Sequence, residues 1–194
     1  MSSDIRIRKG LDIQLEGKAE AITKVAPLSQ VYGLRPAEFH RVIPKLIARE
    51  GATVKAGDPV FYDKRDERVL FPSPVSGTIT EIIRGERRKI LEIRITPDAQ
   101  QSFHEYEKKQ VDSLSPEQIK EHLLQTGCWP LIKQRPYDVI ASVDSQPKAI
   151  FISACKTNPL APDYDYVLKG KEKELQVALT ALSKLTTGKV HVSV

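Results

Sequence analysis

Through the first hundred residues the apolar positions fall in short clusters, too brief for amphipathic helices. Ile5/Ile7, Ile13/Leu15, Val42-Ile43 with Leu46-Ile47, Val60-Phe61 and the stretches 69–71, 78–83 and 90–95 are rich in branched and aromatic side chains. Gly10, Gly17, Gly33, Gly51, Gly57-Asp58-Pro59, Pro72-Ser73-Pro74, Gly77 and Gly85 separate them. Short strands with turn signals at this spacing predict a small β sandwich or barrel.

The pattern changes after Thr96-Pro97-Asp98. Ser115-Pro116-Glu117-Gln118 is a helix start in order, with a Ser N-cap, Pro at the first helical position and Gln three residues after the cap. Ile119 and Leu123, with Leu124 less tightly placed, give the helix its apolar stripe, and Gly127 is positioned to end it. Cys128-Trp129-Pro130-Leu131-Ile132 then leaves as a loop or extended segment. The unbroken apolar run 149–154 predicts a strand covered on both faces. From Gly170 onward, Leu175, Ala178, Leu179, Leu182 and Leu185 keep helical spacing, and residues 189–194 alternate as a strand does. Strand, helix, strand is the opening of a doubly wound, Rossmann-like α/β domain. Natural domains seldom stop inside their first crossover, so this α/β domain is expected to be truncated at its C-terminus and the chain to be a fragment. The expected class is α+β and multi-domain: a β-rich region over 1–98 with its core at about 38–96, then an incomplete α/β domain over 99–194.

Composition narrows the function classes. With 194 residues, 40% hydrophobic and 28% charged, the chain can bury a core without disulfide or metal staples. No stretch approaches the ~18 apolar residues of a membrane span, and the N-terminus lacks a secretory signal, so a soluble, cytoplasmic chain with reduced Cys128 and Cys155 is expected. Cys155, at the end of the 149–154 strand, is expected to be a buried small hydrophobe. The net charge of +5 is unevenly spread: residues 1–100 carry 18 Lys/Arg against 14 Asp/Glu, and residues 101–194 carry 12 against 11. Its densest point is Arg84-Gly85-Glu86-Arg87-Arg88-Lys89, a solvated turn or a surface for phosphates, anionic lipid or an acidic partner. No RNP motif, zinc-finger spacing or long basic helix is present, which argues against nucleic acid. His40, His104, His122 and His191 are scattered, and none forms an H-E-x-x-H or a Cys/His pair at ligand spacing.

The most informative segment is Glu50-Gly51-Ala52-Thr53-Val54-Lys55-Ala56-Gly57-Asp58-Pro59-Val60, followed by Ser73-Pro74-Val75-Ser76-Gly77-Thr78-Ile79. The pair resembles the biotinyl/lipoyl carrier fold, a β sandwich. A carrier would bear its cofactor on a lysine at the tip of the hairpin between the two motifs, where Lys64 lies in Tyr62-Asp63-Lys64-Arg65-Asp66-Glu67. Biotin sites of that family flank the lysine with methionine, and here the only methionine is Met1. The lipoyl pattern continues with alanine, and here Arg65 follows. An ordinary solvated lysine is the better reading of Lys64.

A wider set of motifs occurs in order: Lys9-Gly10-Leu11-Asp12, Tyr32-Gly33-Leu34-Arg35-Pro36, Val60-Phe61-Tyr62-Asp63-Lys64, Pro74-Val75-Ser76-Gly77, Arg84-Gly85-Glu86-Arg87-Arg88, and Ala149-Ile150-Phe151-Ile152-Ser153-Ala154 with Thr157-Asn158-Pro159-Leu160-Ala161. Together they resemble the NqrA family, the A-subunits of bacterial sodium-translocating NADH:quinone oxidoreductases. The resemblance implies a membrane respiratory complex that moves electrons from NADH to a quinone, such as ubiquinone, and exports sodium; the sequence does not identify the quinone. This subunit would be peripheral, on the cytoplasmic face of the inner membrane. NADH, flavins and iron–sulfur centres would sit on other subunits, among them an integral-membrane subunit with the quinone site. The isolated fragment would be inactive. The related C-subunit of the Rnf electron-transport complex shares the carrier-like domain but bears clustered cysteines, whereas Cys128 and Cys155 stand alone. A purely scaffolding subunit and a biotin or lipoate carrier are the competing readings.

In the α/β half, Cys155-Lys156-Thr157-Asn158-Pro159-Leu160-Ala161-Pro162 follows the first strand without a G-x-G-x-x-G, so no cofactor cradle is evident. A quinone needs an apolar or aromatic wall and donors for its ring carbonyls. Tyr32, Gly33 and Arg35, and Trp129 with Arg135, combine aromatic rings with arginines and are the quinone-contact candidates. The alternative for them is an inter-domain seam, since aromatics pack and arginines pair across such seams.

Overall fold

The computed structural model describes residues 10, 13, 15–17, 19–156 and 158–193. In the first half the alternation of branched and polar residues folds as seven strands: β1 (Tyr32–Leu34), β2 (Pro44–Leu46), β3 (Thr53–Val54), β4 (Pro59–Asp63), β5 (Asp66–Pro72), β6 (Gly77–Arg84) and β7 (Ile90–Pro97). They form two antiparallel sheets ordered β1-β7-β6-β3 and β2-β4-β5. The inner faces of both meet in one buried cluster built on Val60, Phe61, Ile79, Ile93 and Ile95, with Phe61 stacked on Phe71 at 4.4 Å between ring centroids. This is the expected sandwich. Gly33, read from sequence as a breaker, instead sits inside β1 opposite Arg94. Ile13 and Leu15 are in no strand and are more than half exposed. The Ile5/Ile7 pair, Lys9, Leu11, Asp12, Thr157 and Val194 lie outside the described residues.

The second half contains α1 (Pro116–Gln125), β8 (Lys133–Gln134), β9 (Val139–Ile140), β10 (Ala149–Ser153), α2 (Tyr164–Leu168), α3 (Glu172–Ser183) and β11 (Lys189–Ser193). The start of α1 is the predicted capping box: the Gln118 N–H donates to Ser115 Oγ, and the Ser115 N–H donates to Gln118 Oε1. Residues Trp129–Leu131 form a 3-10 turn rather than an open loop. β10 and β11 pair in parallel around α3, as the periodicity predicted. Their cover is not as predicted. Phe151 is 75% exposed and, among the described residues, its ring stacks only on His191, 4.8 Å away; no α3 residue is buried. Cys155 is likewise exposed rather than buried.

The two halves share one core. Leu124 of α1, Trp129 and Val143 belong to the same buried cluster as the sandwich residues. Arg68 of β5 forks onto both Asp66 oxygens and onto both Asp144 oxygens, at 2.7–3.0 Å. Gly127, at φ +68°, passes so close to β5 that a methyl group there would lie 2.6 Å from Pro72 Cδ. A side chain at 127 is strained by the left-handed backbone and would force Pro72 to move.

Candidate functional site

Four places carry the chemistry that the sequence singled out. The first is the β4–β5 tip. Asp63 is buried and accepts hydrogen bonds from the Ile43 N–H, the Arg65 N–H and the Arg65 guanidinium. The Lys64 N–H donates to the Ile43 carbonyl at 2.8 Å. The tip is thus pinned through its backbone, and the Lys64 side chain there is exposed.

The second is the Gly57-Asp58 turn. Asp58 Oδ2 accepts the Lys55 N–H at 2.7 Å and Oδ1 meets His104 Nδ1 at 2.7 Å. The Tyr106 hydroxyl donates to the Gly57 carbonyl at 2.9 Å. Partial burial pushes the Asp58 carboxyl upward, but the Lys55 N–H and the His104 ring outweigh it and hold the group below its ordinary range. Gln101, three residues before His104, accepts the N–H of the buried Ser76.

The third is β1 with β7. Arg35 Nε donates to Glu92 Oε2 at 2.8 Å, Arg94 Nε to Glu92 Oε1 at 2.9 Å, and Arg94 Nη1 to Glu81 Oε2 at 2.8 Å. Arg94 first and Arg35 second hold the Glu92 carboxyl below the usual carboxylate range. Glu92 lies across Gly33, where a Cβ would come 3.0 Å from its carboxyl. Gly33 leaves room for the Glu92 side chain to lie close over β1, a relation invisible without the partner strand. Tyr32 Oη accepts the Ser29 N–H at 3.2 Å, and the ring packs on the core.

The fourth is the seam. Trp129 is 4% exposed, and its indole N–H donates to the Ala141 carbonyl at 2.8 Å. Arg135 points to solvent with Asp138 3.5 Å away. A cleft of about 420 Å³ lies beside the seam, lined by Arg68, Leu70, Lys120, Leu124 and Val143 among others. A second, of about 560 Å³, opens between β2 and β6. Neither is lined by Tyr32, Gly33, Arg35, Trp129 or Arg135. Sequence reasoning missed the second cleft because its walls come from strands about 40 residues apart in the chain.

The α/β half does not fit a dinucleotide. The helix after β10 begins only at Tyr164, and its N-cap is Asp163, whose carboxylate accepts the Tyr166 N–H. An acid thus occupies the place where a pyrophosphate would need free N–H groups. Among the described residues no group of three or more His, Cys, Asp and Glu is arranged to hold a metal ion, and no helix is long and apolar enough to cross a membrane.

A carrier-type sandwich fused through one core to a βαβ half, with a pinned lysine tip, defines a barrel-sandwich hybrid domain followed by an α/β domain. Residues 5–98 match the NqrA N-terminal barrel-sandwich hybrid domain, and residues 114–194 match the NqrA second alpha/beta domain. The chain belongs to the NqrA family. It is 37% identical over 190 residues to a Yersinia pseudotuberculosis protein and 37% identical over 195 residues to one from Haemophilus influenzae, covering 97% and 95% of this chain. A Tolumonas auensis protein is 37% identical over 191 residues, 97% of this chain. Each of the three is named as the A-subunit of a Na(+)-translocating NADH-quinone reductase. The chain spans 42–43% of the length of these relatives.

Proposed function

We propose that this chain is the barrel-sandwich and adjoining α/β part of a peripheral subunit, without a catalytic centre of its own, in a membrane complex. That complex passes electrons from NADH to a quinone and exports sodium. The carrying observation is that similarity to the named reductase subunits runs through both halves, which pack here as a single body around Leu124, Trp129 and Val143. The Asp163 cap supports placing NADH and flavin on other subunits, and an integral-membrane subunit is the proposed holder of the main quinone site. The chain sits at the cytoplasmic face and is inactive alone. Any direct quinone contact is assigned to the C-terminal end of β1, since Arg35, the residue after it, keeps both Nη groups outside its Glu92 bond and is 61% exposed. Trp129 has its only donor engaged.

The test is to delete the gene segment for residues 1–194 in a bacterium carrying the full-length protein. Loss of sodium-stimulated NADH:quinone activity in membranes, with the remaining subunits no longer purifying together, supports the reading. An intact, active complex would refute it.

A further inference from the structure

Around β2, exposure follows a strict alternation. Val42, Pro44, Leu46 and Ala48 are half-buried, and Arg41, Ile43, Lys45, Ile47 and Arg49 are exposed. Val42, Leu46 and Ala48 pack on the sandwich core. The outward strip therefore reads cation, isoleucine, cation, isoleucine, cation. Among the described residues β2 pairs only with β4, so its other side is a sheet edge. Lysine on an edge strand blocks unwanted pairing, but Ile43 and Ile47, 51% and 45% exposed, work against that purpose.

The facing wall is also an edge. β3 covers β6 only at Gly77 and Thr78, with Gly51 and Ala52 bonding Ile79. Beyond that point no strand among the described residues lies on this side of β6, and the Ile82 N–H is met by the Glu50 carboxylate at 2.7 Å. Between the two edges lies the cleft of about 560 Å³, lined by the cations Lys45, Arg49 and Arg84 together with the apolar Leu46, Ile82 and Ile90. Glu50 is the one acid lining it, and it is committed to Ile82. Among the described residues none of Lys45, Arg49, Arg84, Arg87, Arg88 and Lys89 takes part in an ion pair.

We propose that this cleft and the strip beside it dock an extended, acidic segment of a partner protein in the complex. Its carboxylates pair with Lys45, Arg49 and Arg84, and its apolar side chains cover Ile43 and Ile47. Outward side chains along an extended strand fall every second position, about 6.6 Å apart, so a partner segment laid along β2 with alternating acidic and apolar residues meets Ile43, Lys45 and Ile47 in turn. A membrane surface is flat and asks for a broad basic patch, not for a groove between two strand edges with isoleucines interleaved. The assignment rests on the reading of the chain as part of a complex and adds the face through which it is held.

The experiment places a photoreactive benzoylphenylalanine at position 47 of the full-length protein in its native membrane complex, with Val177 of α3 as the control position. Irradiation should cross-link position 47 to another protein of the complex, at a stretch rich in Asp and Glu by mass spectrometry. Adding Lys45→Glu and Arg49→Glu should cut that yield about tenfold or more, the scale of lost interfacial charge pairs, with the Trp129 fluorescence of the folded protein unchanged. Cross-links from position 47 only to lipid, only to a segment without acids, or none while the protein still purifies with the complex would overturn the docking site and leave the proposed function standing. Failure to purify with any complex would overturn both.

Discussion

The indole N–H of Trp129 donates to the Ala141 carbonyl at 2.8 Å, and this bond joins the only tryptophan of the chain to the segment that carries Val143 into the sandwich core. Trp129→Ala should cost about 3–5 kcal/mol, the usual range for deleting a buried large aromatic. Trp129→Phe, which keeps most of the ring, should cost less, with about 1–3 kcal/mol for the unpaired carbonyl. Urea unfolding followed by far-UV circular dichroism measures both, and a Trp129→Phe variant as stable as the natural sequence would show that the bond contributes nothing.

Asp58 gives an acid-dependent component of stability. Its carboxyl is held below its ordinary value in the folded chain, so the stabilisation is complete above the unfolded-state value of about 4 and is lost as pH falls through the lower folded value. The stability gap between the natural sequence and Asp58→Asn should stay level from neutrality down to about pH 5 and close below about pH 4. A gap that persists undiminished at lower pH would contradict this account.

Arg35 tests the quinone assignment. In the full-length protein within its complex, Arg35→Ala should reduce labelling by a photoreactive quinone analogue without changing the protein content of the complex. Glu92→Gln, which loosens the same ion pair but leaves the guanidinium in place, should retain labelling. Undiminished labelling in Arg35→Ala removes the end of β1 from the proposal.

Lys64 separates the respiratory-complex reading from the carrier reading. It occupies the outer end of the β4–β5 hairpin, where a carrier would bear its cofactor. Co-expression with a biotin or lipoate ligase should leave the intact mass equal to that of the bare chain. An added cofactor mass that disappears in Lys64→Ala would favour the carrier instead.

Local signals in the chain were readable where the chemistry is local. Ser115, Pro116 and Gln118 spell a helix start because the capping box needs only residues three apart, and Gly127 ends that helix with the backbone its position requires. The strands around Phe61, Phe71 and Ile93 were legible from their branched and aromatic runs, and the α3 crossover from its leucine spacing. What depends on distant partners was not. Gly33 reads as a turn residue until Glu92 is seen lying across it. β3 is two residues long and has no pattern of its own. The apolar run at 149–154 reports a preference for burial, and only the fold shows Phe151 left open. Of the five quinone candidates, the sequence could identify the residue types but not that Trp129 spends its donor on Ala141 while Arg35 keeps two groups free.

The fixation of β5 changes what the carrier outline can be used for. A domain that ferries a tethered group must itself travel between reaction centres, so it cannot be packed against a fixed neighbour. Here β5 has Asp144 gripped by Arg68 and Gly127 set against Pro72. The sandwich is therefore seated on the α/β half along its returning strand instead of hanging from a free linker.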